Sequence, residues 1–178
     1  MQAAVLSFWF AEAQPAQWFA ASAELDALIT QRFALLLQQA AAGECWVWRS
    51  TAQGRLAEII VLDQFSRNVY RNTPRAFTQD PMALALAQEA VAAGALEQLR
   101  EVERNFLLLP YMHSESRLIH AQALPLFQQH ASAHSYEFEL KHQAIIERFG
   151  RYPHRNAALG RESSAQEFEF LAQPGSSF

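Results

Sequence analysis

An all-α fold is predicted for this chain on three observations. Helix start and stop signals recur along its whole length, the two-residue alternation of half-buried strands hardly occurs, and the connections between periodic segments are only a few residues long. Short connections favour antiparallel neighbours. Together they predict about seven helices packed as one domain over residues 1–178.

The first helix with clear ends is "SAELDALITQRFALLLQQAAAG", where Ser22 is placed to cap, apolar residues follow at helical spacing, and Gly43 stops it. "STAQGRLAEIIVLDQFSRNVYR" starts at Ser50 or Thr51 and is broken before Pro74. In "DPMALALAQEAVAAG", Asp80 is predicted to cap, Pro81 to take the first helical position and Gly94 to terminate. A helix through "EVERNFLLL" is predicted to end at Pro110. The next, "ESRLIHAQALPLFQQH", contains Pro125, which lacks an amide donor and is expected to kink it. "SYEFELKHQAIIERFG" runs from a cap at Ser135 to Gly150, and a short last helix opens at Ser164, with Glu167 at capping-box spacing.

Composition narrows the function classes. A chain of 178 residues with 51% hydrophobic and 18% charged residues is long enough and apolar enough to bury a core. The net charge of -4 is the wrong sign for a general nucleic-acid binder. Cys45 is the sole cysteine, which excludes an intrachain disulfide and a thiolate metal cluster and fits a reducing compartment. The N-terminal "MQAAVLSFWFAEA" lacks the basic region and cleavage site of a signal peptide. No apolar run reaches the ~18 residues of a membrane span. A soluble, cytoplasmic protein with no membrane partner is expected.

Three constellations carry chemistry. In "VLDQFSRNVYRNTPRAF" the helix is apolar around most of its circumference, yet Asp63 and Arg67 continue the stripe begun by Leu56 and Ile60. Their i, i+4 spacing, acid first, suits an ion pair. That pair either locks the helix to its neighbours or orients Arg67 towards a cavity; Arg71 follows one turn on and Arg75 lies beyond Pro74. The second is "RFGRYPHRNAALGRE", in which Arg148, Arg151, Arg155 and Arg161 accompany His154 with no acid before Glu162. Gly150 and Pro153 fix its turn, so that His154, Arg155 and Asn156 project from a defined loop; the arginines then form an anion site, pair with helix carboxylates, or lie on a solvated surface. The third is "PYMHSESRLIH", where His113 and Glu115 at a helix junction could share a proton. No spacing such as H-E-x-x-H supports a metal, and no G-x-S-x-G elbow or phosphate-binding P-loop occurs. His120 and His130, ten apart on one helix, are expected on the surface.

"FWF" near the start, "VLDQFSRNVYRNTPRAFTQDPMAL", "HSE", "RFGRYPHRN", "LGRES" and the ending "FLAQPGSSF" together resemble, nearly end to end, an uncharacterised bacterial family of TPR-like helical proteins. The resemblance implies a TPR-like arrangement of antiparallel helical hairpins, although no repeat near 34 residues is visible. It implies no activity. The chain departs from the family at Ser7, where an acid is expected, at Ala11 in place of a common glycine, at Ser116 and Arg117 in place of further acids, and at Pro125.

The function these features favour is a binding module for an anionic small molecule or an acidic peptide end. Asp63, Arg67, Asn68, Arg71, Arg151, His154, Arg155 and Asn156 would line a concave pocket, with Tyr70, Tyr111 and Tyr152 as walls. The alternative is a hydrolase or transferase in which His113 or His154 is the general acid or base and Glu115 or Asp63 orients it. A scaffold with purely structural charges is the third reading. No cofactor or metal is expected. "SRNVYR" and "RYPHRN" are expected to meet in space, with His113 at the edge, because neither segment neutralises its own charge.

Overall fold

The structure is a computed structural model that describes residues 1–176; Ser177 and Phe178, the end of the "FLAQPGSSF" string, lie outside the described residues. Among the described residues there are nine helices and no strand, counting the continuous run over 52–69 as one. They are α1 (Gln2–Ser7, widening into a π turn Phe8–Glu12), α2 (Ala23–Ala41), α3 (Ala52–Ile60, then a π turn Val61–Phe65, then Ser66–Val69), α4 (Asp80–Ala92), α5 (Glu101–Met112), α6 (Arg117–His130), α7 (Ala133–Phe149), α8 (Asn156–Leu159) and α9 (Ala165–Leu171). The two beyond the expected seven are α1, whose "AAVLSFWF" offers no capping side chain, and α8, a single turn. No helix among the described residues is long and apolar enough to cross a membrane.

Several ends form as the local chemistry requires. Ser22 Oγ accepts from Leu25 N, Thr51 Oγ1 accepts from Gly54 N, and Ser164 with Glu167 forms a reciprocal capping box. Others differ from the sequence reading. α5 continues through Pro110 to Met112, and α6 is helical across Pro125. Burial of "FLLLPYM" supplies the stabilisation that a proline within a helix removes. α7 is capped by Ser132, not Ser135, because Ser132 Oγ accepts from Ser135 N. Asp80 is the first residue of α4 and not its cap; its carboxylate is engaged elsewhere.

α3 is the central element, with every residue from Leu56 to Ser66 buried. It packs against α1, α2, α4 and α5, while α5, α6 and α7 pack in succession. Around its middle, Phe65 meets Phe33 at 5.0 Å, Trp9 at 5.7 Å and Phe8 at 6.1 Å between ring centroids, in the tilted and edge geometries that aromatic pairs prefer. α3 begins against the turn before it: a Cβ on Gly54 would lie 1.9 Å from the Trp48 carbonyl oxygen, so only glycine permits that approach. A smaller core of Ile145, Ile146 and Tyr152, with Phe149 and Phe170 against it, carries the loop after α7. Gly150, at φ +68°, turns the chain into that loop.

Candidate functional site

The π turn of α3 carries Asp63, which is 1% exposed. One extra residue in that turn breaks the 100° register assumed from the sequence, and such turns concentrate at functional sites. Asp63 Oδ1 lies 2.7 Å from His113 Nδ1 and 3.0 Å from Arg67 Nη1, and Gln64 Nε2 donates to Oδ2. A carboxylate accepts only, so His113 holds its hydrogen on Nδ1 and keeps the Nε2 lone pair as its basic atom. Burial raises the Asp63 carboxyl, but Arg67 and His113 outweigh it and hold the group well below the carboxylate range. Burial, then Arg67, push His113 below its ordinary value against the pull of Asp63, which keeps the imidazole neutral at pH 7.

Arg67 extends from Asp63 to α4. Nη1 donates to the Asp63 backbone oxygen at 2.8 Å and to Asp80 Oδ1 at 2.9 Å, and Nη2 donates to Asp80 Oδ2 at 3.0 Å, a bidentate fork. Arg155 arrives from the loop after α7 and donates through Nη1 to the same Asp80 Oδ2 at 3.3 Å. The two arginine-bearing segments therefore meet, and the carboxylate between them is Asp80. Arg155 is 6% exposed, its guanidinium 4.7 Å from the Phe77 ring centroid and 4.6 Å from that of Tyr152. Among the described residues its buried Nε has no hydrogen-bond partner, and the Asp80 contact is the one hydrogen bond of its side chain.

The remaining residues singled out in the sequence are held by acids of their own. Arg71 forks Asp26 of α2 at 2.6 and 2.7 Å, and Asn68 Nδ2 joins the same carboxylate. Arg151 forks Glu167 of α9 and donates to the Glu162 carbonyl. Glu115 receives Arg161 through both oxygens and Tyr152 N through Oε1, so its hydrogen bonds run to the loop and not to His113. Asn156 accepts from Arg161 and donates to Ser163. Of the three tyrosines, Tyr152 alone lies against an arginine of the Asp80 cluster; Tyr70 lies under Arg75, and Tyr111 is buried in α5 with its hydroxyl pushed up to about 12.

His120 corrects the surface expectation: it is fully buried, between Glu139, the Ser114 carbonyl and Tyr152, and its partner Glu139 lies on a different helix. His130 is partly buried. Burial also pushes His142 down to about 3 and His154 down to about 4, with Arg155 adding to the effect on His154. Sequence reasoning missed Asp80, Asp26, Phe77 and Glu139 as partners. The one signal present, Asp80 before Pro81, reads equally well as a helix start.

Asp63 and Asp80 balance Arg67 and Arg155, so the cluster is neutral with His113 uncharged. Side-chain exposures of 20% for Arg67 and 15% for His113 give it a narrow opening. Two clefts, about 120 Å³ beside Arg49 and Arg55 and about 210 Å³ beside Tyr70 and Arg75, lie apart from it. Among the described residues no group of three or more His, Cys, Asp or Glu is arranged to hold a metal ion.

The family described as "Bacterial protein of unknown function (DUF924)" matches residues 5–175, and the chain belongs to that family. The chain is similar to the solved structure of a protein of unknown function, ATU0120, from Agrobacterium tumefaciens, at 34% identity and a TM-score of 0.91 over 96% of each chain. No curated protein matches it.

Proposed function

Starting from a family with no assigned activity, we propose that this chain is a cytoplasmic binding module that takes the carboxylate of a small molecule or an acidic peptide end on Arg155. We read the helices from α4 to α7 as antiparallel hairpins in a TPR-like stack that carries the binding loop, which their packing in sequence order supports. The observation that supports the reading is the Nε of Arg155, buried and without a partner among the described residues. With Nη1 on Asp80, the Nε–Nη2 edge remains, and that edge matches a carboxylate through two parallel charge-assisted bonds. Stacking between Phe77 and Tyr152 fixes the plane of the fork before any ligand arrives, which lowers the ordering cost. The opening beside Arg67 and His113 is the route by which an end group would reach Arg155.

The test is a thermal-shift series with succinate, citrate, phosphate and an aspartyl peptide, each matched in ionic strength with sodium chloride. A ligand at 100 times its dissociation constant stabilises by about 2.7 kcal/mol, roughly 5–10 °C for a chain of this size. Arg155→Lys keeps the charge and removes the fork, and should abolish the shift. Equal responses of wild type and Arg155→Lys to every carboxylate would refute the reading.

The Asp63–His113 contact favours a second reading, in which His113 Nε2 is a general base. Turnover of a carboxylate-bearing substrate would then rise with pH along a limb below the ordinary histidine value and vanish in His113→Asn. A pH-independent rate would exclude it.

A further inference from the structure

Beneath the Arg155 loop lies a buried acid–base pair that neither reading uses. Glu139 of α7 and His120 of α6 are both 0% exposed, with Glu139 Oε1 2.6 Å from His120 Nδ1. On its other side, His120 Nε2 faces the Ser114 carbonyl at 2.9 Å and the Tyr152 hydroxyl at 3.1 Å. The Tyr152 hydroxyl donates to the Met112 carbonyl.

These contacts fix most of the hydrogens. A carbonyl only accepts, so His120 Nε2 must carry a hydrogen towards Ser114. The Tyr152 hydrogen is committed to Met112, which leaves the Tyr152 oxygen as a second acceptor facing Nε2. One more hydrogen must lie between Nδ1 and Oε1. Either the imidazole is doubly protonated beside a carboxylate, or it is neutral beside a carboxylic acid.

The second oxygen of Glu139 decides between them. Oε2 is buried and has no hydrogen-bond partner among the described residues. An ionised carboxylate would leave half its charge bare in an apolar interior, whereas a protonated acid leaves only a carbonyl oxygen unsatisfied, at much lower cost. Among the described residues no cation other than His120 acts on Glu139, and His142 on the same helix is neutral. Burial raises the Glu139 carboxyl, and His120 opposes this only in part.

We infer that Glu139 is a protonated acid donating to His120 Nδ1, and that the chain Glu139–His120–Tyr152 positions the ring on which Arg155 lies. Glu139 and His120 are positioning residues, acting on Arg155 through Tyr152. The inference holds whether or not a carboxylate binds at Arg155.

The test uses the full chain. In wild type at pH 7, ¹⁵N signals of His120 should show a neutral ring protonated at Nε2; an imidazolium pattern would overturn the inference without any variant. Glu139→Gln reproduces the protonated acid, with an amide hydrogen in place of the hydroxyl. It should melt within about 3 °C of wild type, while Glu139→Ala should fall by on the order of 10 °C. Equal losses in the two variants would overturn the assignment. As pH rises and Glu139 loses its proton, the Arg155 Nε–H signal of wild type should shift, and that of Glu139→Gln should stay flat. A signal that titrates identically in both would overturn the positioning role.

Discussion

Asp80→Asn separates two roles that one residue could play. As a helix start, asparagine is as good as aspartate, and the exchange would cost less than about 0.5 kcal/mol. As the carboxylate between Arg67 and Arg155, Asp80 cannot be replaced by a neutral amide. Asp80 takes two bonds from Arg67 at 2.9 and 3.0 Å and one from Arg155 at 3.3 Å. Removing one member of a buried ion pair costs about 3–5 kcal/mol, because the remaining charge is left without compensation. Two features place this case at the low end. Arg67 keeps Asp63, and the side chain of Asp80 is 17% exposed, so water screens part of the loss. The expected cost is therefore ~3 kcal/mol for Asp80→Ala and ~2 kcal/mol for Asp80→Asn. Urea unfolding at pH 7 should show the midpoint falling at constant m. A cycle with Arg155→Met should give coupling of ~1 kcal/mol or more. An Asp80→Asn midpoint indistinguishable from wild type would refute the reasoning and return Asp80 to the role of a helix start.

Asp63→Ala should destabilise by ~3 kcal/mol or more, since it strips His113 and Arg67 of a partner that is 1% exposed. Asp63→Leu with Arg67→Met should recover only part of this in the same denaturation assay, because Asp80 then keeps one long contact to Arg155. Gly54→Ala should cost about 3 kcal/mol, because beside Gln2, which can swing aside, the new methyl meets the Trp48 carbonyl, which cannot. His142 and His154 stay neutral in the fold down to about 3 and about 4, while the unfolded chain protonates near its ordinary value of 6.5. Stability is therefore full above pH 6.5 and falls as pH drops towards 4, by up to about 1.4 kcal/mol per pH unit for each histidine. Denaturation midpoints that stay flat from pH 6.5 to 4.5 would refute the burial of both rings.

Much of the fold was legible because helix ends are local. Ser22, Thr51 and Ser164 bond to amides three residues away, so the signal and its effect lie in one short window. Pro110 misled for the complementary reason. The penalty of a proline is local, but the burial of Phe106 to Met112 that overrides it comes from α3 and α6, which no window of α5 contains. α1 lacked a signal, since no side chain caps its start and its exposed face carries Ala3, Ala4 and Ala11 in place of a polar stripe.

The site was legible in its cations and in the local Asp63–Arg67 pair, which forms at 3.0 Å as the i, i+4 spacing predicts, but not in its distant partners. Arginines at Arg67, Arg71, Arg151 and Arg155 stand out in the sequence, but apart from Asp63 the acids that answer them come from 13, 45, 16 and 75 residues away. Which acid meets which arginine is fixed by helix packing, and glutamates and aspartates on amphipathic helices all look alike before packing is known. Once the pairs are drawn, the four arginines cease to be equivalent. Arg71 and Arg151 are each forked by one carboxylate, and Arg67 is shared between two. Arg155 alone has a buried donor left over. A ligand at Arg71 or Arg151 would have to displace a carboxylate already in bidentate contact, whereas at Arg155 it would add bonds without breaking one. That difference, and not the density of positive charge, makes Arg155 the residue at which to look for a ligand.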